Sequence, residues 1–332
     1  MLSTGFWTPV LVFAALSAIV AVGVYITMLS GQASVGHAAF MGMGAYTAAV
    51  LTTNFGIPFL LAILAGVVVG IAAGSLLSLV TMRMSELIVA LTTLGFGETM
   101  VILAFNWEYI GGANSFSGIP LYTNVWIVLL ALVAVVYLAW RLDGSRIGLA
   151  ARAVRDNRVA AAAMGINVTW VRILTFGLGA GIAAFGGALS AHYTLVVNPD
   201  DMSFFRSFAF KIFVLFGGSY TFWGPVIGAI SLTVLPEALR AGLSLTEAFS
   251  HSLRFIVYGL VIVLVVVLKP NGLIPRVPTG RRRALFGRFA AKLPQPQANV
   301  PTTAKTQPPS QPMAEGRLDE LVPGGEPRTR DG

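Results

Sequence analysis

Long apolar segments constrain the fold of this chain more than any other feature. A helix needs about 20 apolar residues to cross the hydrocarbon core of a bilayer. Runs of that kind cover residues 9–29, 57–82, 87–105, 125–140, 173–191, 222–239 and 255–268. Only 11% of the residues are charged, which is too few to cover the surface of a soluble protein of this length. The sequence therefore predicts an all-α polytopic membrane protein.

Two further segments are apolar but irregular. Residues 33–52 are rich in glycine and alanine, and residues 207–218 are too short to span a bilayer alone and carry Lys211. Short or glycine-broken segments are tolerated at membrane depth where they line a cavity or are packed inside protein. Including them, we expect eight or nine membrane crossings.

The basic residues predict the orientation of the chain. Arg83, the segment 141–172 and the arginines at 281–283 should be cytoplasmic, because cytoplasmic loops are enriched in lysine and arginine. The loop 107–121 carries only Glu108 as charge and should face the opposite side. With nine spans, the N-terminus is outside and the C-terminus is cytoplasmic. Three basic residues fit this orientation less well: Arg206, Lys211 and Arg254.

Composition divides the chain into two predicted parts. Residues 1–275 form the transmembrane domain, with a cytoplasmic loop at 141–172, whereas residues 276–332 are rich in proline, glutamine, threonine and charge. Such a tail cannot bury a core and is expected to be a disordered, cytoplasmic, basic segment. The chain contains no cysteine, so disulfides and thiolate metal sites are excluded.

Glycines indicate where helices approach each other closely. A helix surface without side-chain bulk lets two backbones come together. The candidate packing positions lie in two regions: Gly36, Gly42 and Gly44 in the first, and Gly224 and Gly228 in the second.

Polar residues within apolar segments are candidates for the substrate path. Gln32, Ser34 and His37 begin the glycine-rich segment, and lipid cannot satisfy their hydrogen bonds, so they must face a cavity or bond a neighbouring helix. For His37 we favour a hydrogen-bonded structural role over a proton relay or metal ligand, because no second histidine lies nearby in sequence. Glu98 either lines the path or bonds across helices. Asn114 lies in a glycine-rich outer loop, where it either meets the substrate or a binding protein or belongs to a solvated turn.

Five segments occur in the order typical of one transporter family. They are GQASVGHAAFMGMGAYTAA (31–49), ALTTLGFGE (90–98), GGANSFSGIP (111–120), SRIGLAARAVRDNRVAAAAMGINV (145–168), and FGGSYTFWGPVIGAISLTVLPEALR (216–240) followed by LKPNGLIP (268–275). The chain resembles the branched-chain amino-acid ABC transporter permeases of the LivM/LivH type, and is most like LivM. It departs from them at Ile110, where the family usually has threonine, and at Arg206 and Lys211, where the family has an aliphatic run.

The resemblance implies an ABC importer permease fold and a non-catalytic transport subunit of a bacterial cytoplasmic (inner) membrane. Its implied partners are a second permease chain (as a hetero- or homodimer), two cytosolic ABC ATPase subunits and a periplasmic substrate-binding protein. ATP would be bound by the ATPase subunits, so this chain needs no cofactor of its own. The implied cargo is a branched-chain or other small hydrophobic amino acid, or a related small solute such as urea or a short amide.

The cytoplasmic segment is the candidate for ATPase coupling. Its composition predicts one helix over residues 147–164 that ends at Gly165. By resemblance, this is the coupling helix that contacts the ATPase. Registering Gly165 on the Glu-Ala-Ala-x-x-x-Gly pattern of ABC permeases places Val159 at the glutamate position. The candidate coupling residues are Arg152, Arg155, Asp156, Asn157, Ala160, Ala161 and Gly165, of which the first three share one helix face.

The sequence gives less support to two other functional classes, a membrane enzyme and an ion-coupled transporter. The chain has no Gly-x4-Gly-Lys-Ser/Thr loop, so it does not hydrolyse ATP by the usual loop mechanism, and no cluster has catalytic or metal-binding spacing. An ion-coupled secondary transporter of a small neutral solute remains the alternative, but only Glu98 is a clear embedded charge, and it lacks an obvious partner in the sequence. The sequence leaves open the solute, the exact number of spans and the identity of the second permease chain.

Overall fold

The computed structural model describes residues 4–243 and 259–260, and these are largely helical. The helices are α1 (Thr4–Met28), α2 (His37–Thr53), α3 (Phe59–Thr81), α4 (Glu86–Asn106), α5 (Val125–Gly144), α6 (Arg146–Asp156), α7 (Arg158–Ala163), α8 (Val168–Thr194), α9 (Phe204–Gly217) and α10 (Trp223–Leu243). Two short strands, β1 (Phe116–Ser117) and β2 (Val196–Val197), pair antiparallel. Short 3₁₀ turns at Glu108–Ile110, Gly112–Asn114 and Pro199–Met202 complete the described elements.

The observed helices confirm the polytopic all-α prediction. Predicted spans correspond to α1, α3, α4, α5, α8 and α10, and the two irregular segments fold as α2 and α9. Within the described residues, five helices are long and apolar enough to cross a membrane: α1, α3, α4, α5 and α8. The predicted span at 255–268, the boundary at 275 and the tail from 276 lie outside the described residues, apart from residues 259–260.

α1 and α8 form the centre of the bundle, because most of their side chains are buried. α3, α4 and α5 lie around them and expose leucine, valine and tryptophan on their outer faces, as helices in contact with lipid do. α3 packs onto α8 through Gly70 and Gly74 and onto α2 through Gly66, and these three glycines recur every fourth residue on one face. A Cβ at Gly70 would clash with the Cβ of Ala184, so the two backbones pack together only while this position lacks a side chain.

The glycines singled out in the sequence all lie at close contacts. Gly36 packs against the carbonyl of Thr93 in α4, and Gly44 packs against the backbone of α8. A Cβ at Gly42 would overlap the side chain of Met202. Gly224 and Gly228 let α10 pack closely against the end of α9.

The prediction of a single helix over residues 147–164 is wrong. The segment forms two helices, α6 and α7, separated at Asn157, whose backbone is extended with φ −157° and ψ 110°. The Asn157 Oδ1 accepts hydrogen bonds from the N–H groups of Val159 and Ala160, both at 3.0 Å, and so caps α7. Asparagine is a strong N-cap residue, and this capping preference outweighs the helical composition around it. Gly165, with φ +82°, ends α7 at the expected position.

Candidate functional site: the α6–α7 segment and the polar cluster beside it

Arg152 links α6 to two membrane helices. It donates to Asp143 Oδ1 near the end of α5, and the hydroxyl of Tyr25 in α1 donates to the same oxygen at 2.8 Å. Burial alone would lower the pKa of Arg152, but the Asp143 carboxylate offsets this, and the pKa is raised. Arg152 therefore stays charged and holds α6 against α5 and α1.

Arg155 contacts two other connections. Its Nη1 donates to the carbonyl of Ser219 at 3.3 Å, and its guanidinium lies 4.9 Å from the ring centre of Tyr220, in the turn between α9 and α10. The backbone of Arg155 also packs against Gly31, in the connection between α1 and α2. Gly31 has φ +72° there, a conformation that glycine adopts without strain.

Two arginines hold the turn between α3 and α4. Arg158, the first residue of α7, donates to the carbonyl of Met84 at 3.1 Å. Arg172 of α8 donates to the carbonyl of Met82. Arg158 is half-buried, whereas Arg172 is completely buried. Through Arg152, Arg155 and Arg158, the α6–α7 segment is therefore bonded to the ends or connections of most of the membrane helices.

The outer surface of this segment is apolar. Val159 and Met164 are 80% and 83% exposed, and Ala160 and Gly165 next to them are exposed as well. Ala161 is buried against the rest of the chain. We call the exposed residues 159–160 and 162–165 the α7 ridge. An exposed apolar patch beside charged residues is a feature of protein interaction sites.

Apart from Ala161, which is buried, the candidate coupling residues thus divide into two groups. Ala160 and Gly165 lie on the α7 ridge, and Asp156 and Asn157 are exposed beside it. Arg152 and Arg155 instead contact the membrane helices, as described above. Arg158, which was not among the predicted coupling residues, belongs with these two. The sequence signal that could have identified Arg158 is its position three residues after Arg155.

Gln32 lies in a buried polar cluster that joins three parts of the bundle. Its Nε2 donates to the carbonyl of Arg172 at 2.8 Å and to Ser30 Oγ at 3.0 Å. Its Oε1 accepts from Ser78 Oγ of α3 at 3.1 Å. Ser30 Oγ is also hydrogen-bonded to Thr175 Oγ1 of α8 at 2.7 Å. Gln32 therefore connects the α1–α2 connection with α3 and α8, and in this conformation it does not face an open path.

Ser34 and His37 lie at the start of α2. Ser34 Oγ accepts from the N–H of Gly36 at 3.3 Å. His37 is 1% exposed, and its Nε2 is hydrogen-bonded to Thr27 Oγ1 of α1 at 3.1 Å. Its ring packs edge-on against Phe40. The hydrogen-bonded role that we favoured for His37 matches this geometry.

Glu98 bonds across helices. Its Oε1 accepts from the N–H of Phe204 at 2.8 Å, at the start of α9. The Ser203 side chain, which occupies the N-cap position, does not cap that helix, so the carboxylate of Glu98 takes its place. A negative charge at a helix N-terminus is stabilising because the unpaired N–H groups carry partial positive charge. Of the two roles considered for Glu98, the structure therefore shows the interhelical one.

Asn114 is exposed in the loop between α4 and α5, at the opposite end of these helices from the α6–α7 segment. The strand pair Phe116–Val197 joins this loop to the residues after α8. Arg206, which fitted the predicted orientation poorly, forms an ion pair with Asp201 in the same outer region. The structure does not bring Asn114 together with Gln32, Ser34 or His37.

A comparison with known protein families decides the relationship. The model of the family described as "Branched-chain amino acid transport system / permease component" matches residues 7–266. The chain belongs to this permease family.

Named proteins of similar sequence support this family assignment. The chain is 27% identical over 282 residues to the high-affinity branched-chain amino acid transport system permease protein LivM of Salmonella typhimurium. The aligned region covers 74% of this chain and 64% of LivM. The chain is also 26% identical over 233 residues to the autoinducer 2 import system permease protein LsrC of Yersinia pseudotuberculosis, with 67% of this chain and 66% of LsrC covered. The permease described here therefore spans less than two thirds of the length of LivM.

One solved structure shows a distant likeness. PsaBC from Streptococcus pneumoniae in complex with Fab aligns with a TM-score of 0.42 and 13% identity, over 86% of this permease and 96% of that chain. Similarity at this level adds nothing to the family assignment.

Proposed function

We propose that this permease is the membrane-spanning subunit of an ATP-driven ABC importer, and that the α7 ridge is the surface on which a cytosolic ATPase subunit docks. The observation that carries the proposal is the division of the α6–α7 segment into two sides. Val159 and Met164 are exposed on one side, and the arginines on the other side bind the membrane helices.

This arrangement provides a route for coupling. A movement of the ATPase that displaces α7 pulls on Arg158, and through it on the turn between α3 and α4. The same movement acts through Arg155 on the α9–α10 turn and through Arg152 on α5 and α1. ATP can switch the permease between outward-facing and inward-facing states only if the ATPase binds these two states with different affinity. A docked segment that contacts the bundle at several points supplies this difference in affinity.

The apolar character of the ridge also constrains the shape and polarity of the ATPase groove that binds it. Val159 stands where ABC permeases have glutamate, so the ATPase groove must accept an aliphatic side chain at that position. Arg152, Arg155 and Arg158 act as positioning residues, because they hold the ridge in place from behind. ATP is bound and hydrolysed by the partner, since the 332-residue sequence has no phosphate-binding loop motif.

The cargo is proposed to be a small solute delivered by a periplasmic binding protein. The name of LivM indicates branched-chain amino acids, and the name of LsrC indicates autoinducer 2, so family membership alone does not fix the solute. We favour an amino acid with an aliphatic side chain. A second permease chain completes the path, and the complex lies in a bacterial cytoplasmic membrane with the α6–α7 segment in the cytoplasm.

An ion-coupled secondary transporter is the less favoured function. Such a protein needs an embedded ionisable group that is free to bind and release the coupling ion. The carboxylate of Glu98 instead accepts a hydrogen bond from the α9 backbone, which favours a structural role for it.

Co-purification tests the proposal. The tagged chain is isolated from its native membrane in mild detergent, and its partners are identified by mass spectrometry. We expect an ATPase with a phosphate-binding loop and a second permease. Val159→Asp should reduce the recovered ATPase at least about tenfold, since a charge buried in an apolar interface costs more than about 1.4 kcal/mol. Ala113→Asp, on the exposed outer loop, is the matched control and should have no effect. Isolation of the chain alone, with transport that needs an ion gradient rather than ATP, would refute the proposal.

A further inference from the structure

The arginines on the predicted cytoplasmic side form two groups. One group donates hydrogen bonds to other parts of the bundle: Arg152, Arg155, Arg158 and Arg172. The other group is exposed and forms no hydrogen bond or ion pair with any residue that the structure describes: Arg83, Arg141 and Arg146. Arg141 and Arg146 lie close together in sequence, where α5 ends and α6 begins. We call residues 137–149 the α5–α6 corner.

Arg141 lies at the end of a lipid-facing stripe of α5. The members of this stripe recur every third or fourth residue and are 60–78% exposed: Trp126, Leu130, Val133 and Tyr137. The opposite face of α5 is buried in the bundle. Arg141 follows Tyr137 by one helical turn and therefore continues the stripe, about 22 Å along the helix from Trp126. Basic side chains near the end of a membrane helix extend to the headgroups, so the Arg141 guanidinium lies at the headgroups of the lipids that cover this stripe.

Two exposed aromatic side chains lie beside Arg141. Tyr137 and Trp140 are 60% and 51% exposed, and their ring centres are 5.7 Å apart. Neither the Tyr137 hydroxyl nor the Trp140 Nε1–H has a hydrogen-bond partner among the described residues. Tryptophan and tyrosine are enriched at the boundary between the apolar core and the headgroups, because the ring lies in lipid and the polar group bonds to the interface. The two rings therefore place the corner at headgroup level and supply donors to headgroup oxygens.

The carboxylate of the corner points into the bundle. Asp143 lies between Arg141 and Arg146 in sequence, but its Oδ1 accepts from the Tyr25 hydroxyl and from a guanidinium of α6, as described above. The two exposed arginines thus keep their charge without an acidic partner in the described chain. For Arg146 this position is unfavourable, because it is the first residue of α6 and cations are disfavoured in the first turn of a helix. An anion bound from outside offsets this cost.

We propose that the α5–α6 corner binds the phosphate of an anionic phospholipid, with Arg141 and Arg146 as the cations, Tyr137 and Trp140 as further donors, and the acyl chains along the exposed stripe of α5. Each arginine should strengthen binding about fivefold, which corresponds to about 1 kcal/mol for a basic residue at an anionic membrane surface. The inference goes beyond the import function and does not rest on it, since it requires only that the chain lies in a membrane. A lipid bound here fixes the start of α6, the helix that leads to the α7 ridge.

Arg83 provides the comparison with an ordinary basic residue of a cytoplasmic loop. It is exposed in the turn between α3 and α4, as Arg141 and Arg146 are exposed at their corner. Its turn, residues 82–85, contains no tyrosine or tryptophan, and the exposed carboxylate of Glu86 follows three residues later. If basic residues attract anionic lipid only through their charge, Arg83 should do so as well as either arginine of the corner.

Photo-labelling by lipids tests the site. The complex that contains the chain is purified and reconstituted into phosphatidylcholine vesicles with a trace of photoreactive lipid, whose headgroup is phosphatidylglycerol or phosphatidylcholine on the same diazirine-bearing acyl chains. Mass spectrometry then locates the labelled residues. We expect phosphatidylglycerol to label residues 130–149 at least about fivefold more than phosphatidylcholine does. Arg141→Gln combined with Arg146→Gln should reduce the labelling by phosphatidylglycerol at least about fivefold and leave that by phosphatidylcholine unchanged, whereas lysine at both positions should retain most of it.

The matched control is Arg83→Gln, which should change the labelling of the corner less than twofold. Equal labelling of the corner by the two lipids, or an equal fall in Arg83→Gln, would overturn the proposal, because either result indicates attraction by overall charge alone. Absence of lipid labels from the corner would also overturn it, since a protein, such as the second permease chain, would then cover this face. Failure of the import function is a separate result, because it appears as loss of ATPase co-purification from the unsubstituted chain.

Discussion

Replacing Arg158 with methionine should weaken the connection between α7 and the turn that joins α3 and α4. Arg158 donates one hydrogen bond, of 3.1 Å, to the carbonyl of Met84. A hydrogen bond from a charged group contributes about 1.5–3 kcal/mol, and because Arg158 is half-buried we take the lower end, about 1.5 kcal/mol. Methionine keeps the unbranched apolar stem, so the change removes mainly this bond and the charge.

The expected consequence is a loss of coupling rather than of assembly. A loss of about 1.5 kcal/mol corresponds to about a tenfold change in an equilibrium. The ATPase should still bind, because the α7 ridge is unaltered, and should still hydrolyse ATP. The number of solute molecules transported per ATP should fall about five- to tenfold.

The assay measures uptake and ATP hydrolysis together in proteoliposomes that contain the complex. Arg83→Met is the matched control, because Arg83 lies in the same turn and is exposed, and no hydrogen bond from it occurs in the described part of the chain. It should change the transport-to-hydrolysis ratio less than twofold. An unchanged ratio in Arg158→Met, or an equal fall in both variants, would refute the proposed role of the Met84 contact.

Further predictions concern stability and packing. Gln32→Leu removes three buried hydrogen bonds and should lower the free energy of unfolding by about 2–4 kcal/mol, compared with about 1 kcal/mol for Ser78→Ala, as thermal unfolding in detergent would measure. Glu98→Gln should cost about 1 kcal/mol, because α9 loses its charged cap, and should leave uptake nearly unchanged; a large loss of uptake at unchanged stability would instead indicate a role in the path. Gly70→Leu should prevent the close packing of α3 on α8 and abolish recovery of folded protein, whereas Gly95→Leu, where a Cβ meets nothing within 4 Å, should be tolerated.

The membrane helices could be predicted because their signal is local. A run of about 20 apolar residues is sufficient to identify a span, so α3 and α4 match their predicted segments within two residues at each end. Most of the glycine-rich segment 33–52 also folds as a helix, α2. Its start inside the bundle was not predictable, because it depends on the contact between Gly36 and Thr93 in another helix.

The features that were missed depend on long-range contacts or on a single residue. Glu98 finds its partner 106 residues later in the chain, so its apolar surroundings in sequence gave no indication of the α9 cap. Arg172 is the last residue of the segment predicted to be a cytoplasmic loop, yet its side chain is completely buried and donates to the carbonyl of Met82. The break at Asn157 was overlooked because composition averaged over the segment favoured a helix, although asparagine itself is a capping signal.

Site-specific cross-linking at Val159 would test the central claim most directly. The absence of cysteine from the chain allows Val159→Cys to carry a single photoactivatable maleimide, with Ala113→Cys as the control on the outer loop. We predict that the label at position 159 cross-links, in native membranes, to a protein that contains a phosphate-binding loop, and that the label at position 113 does not. Cross-linking of the two positions to the same partners, or of position 159 to lipid alone, would contradict the assignment of the α7 ridge as the ATPase docking surface.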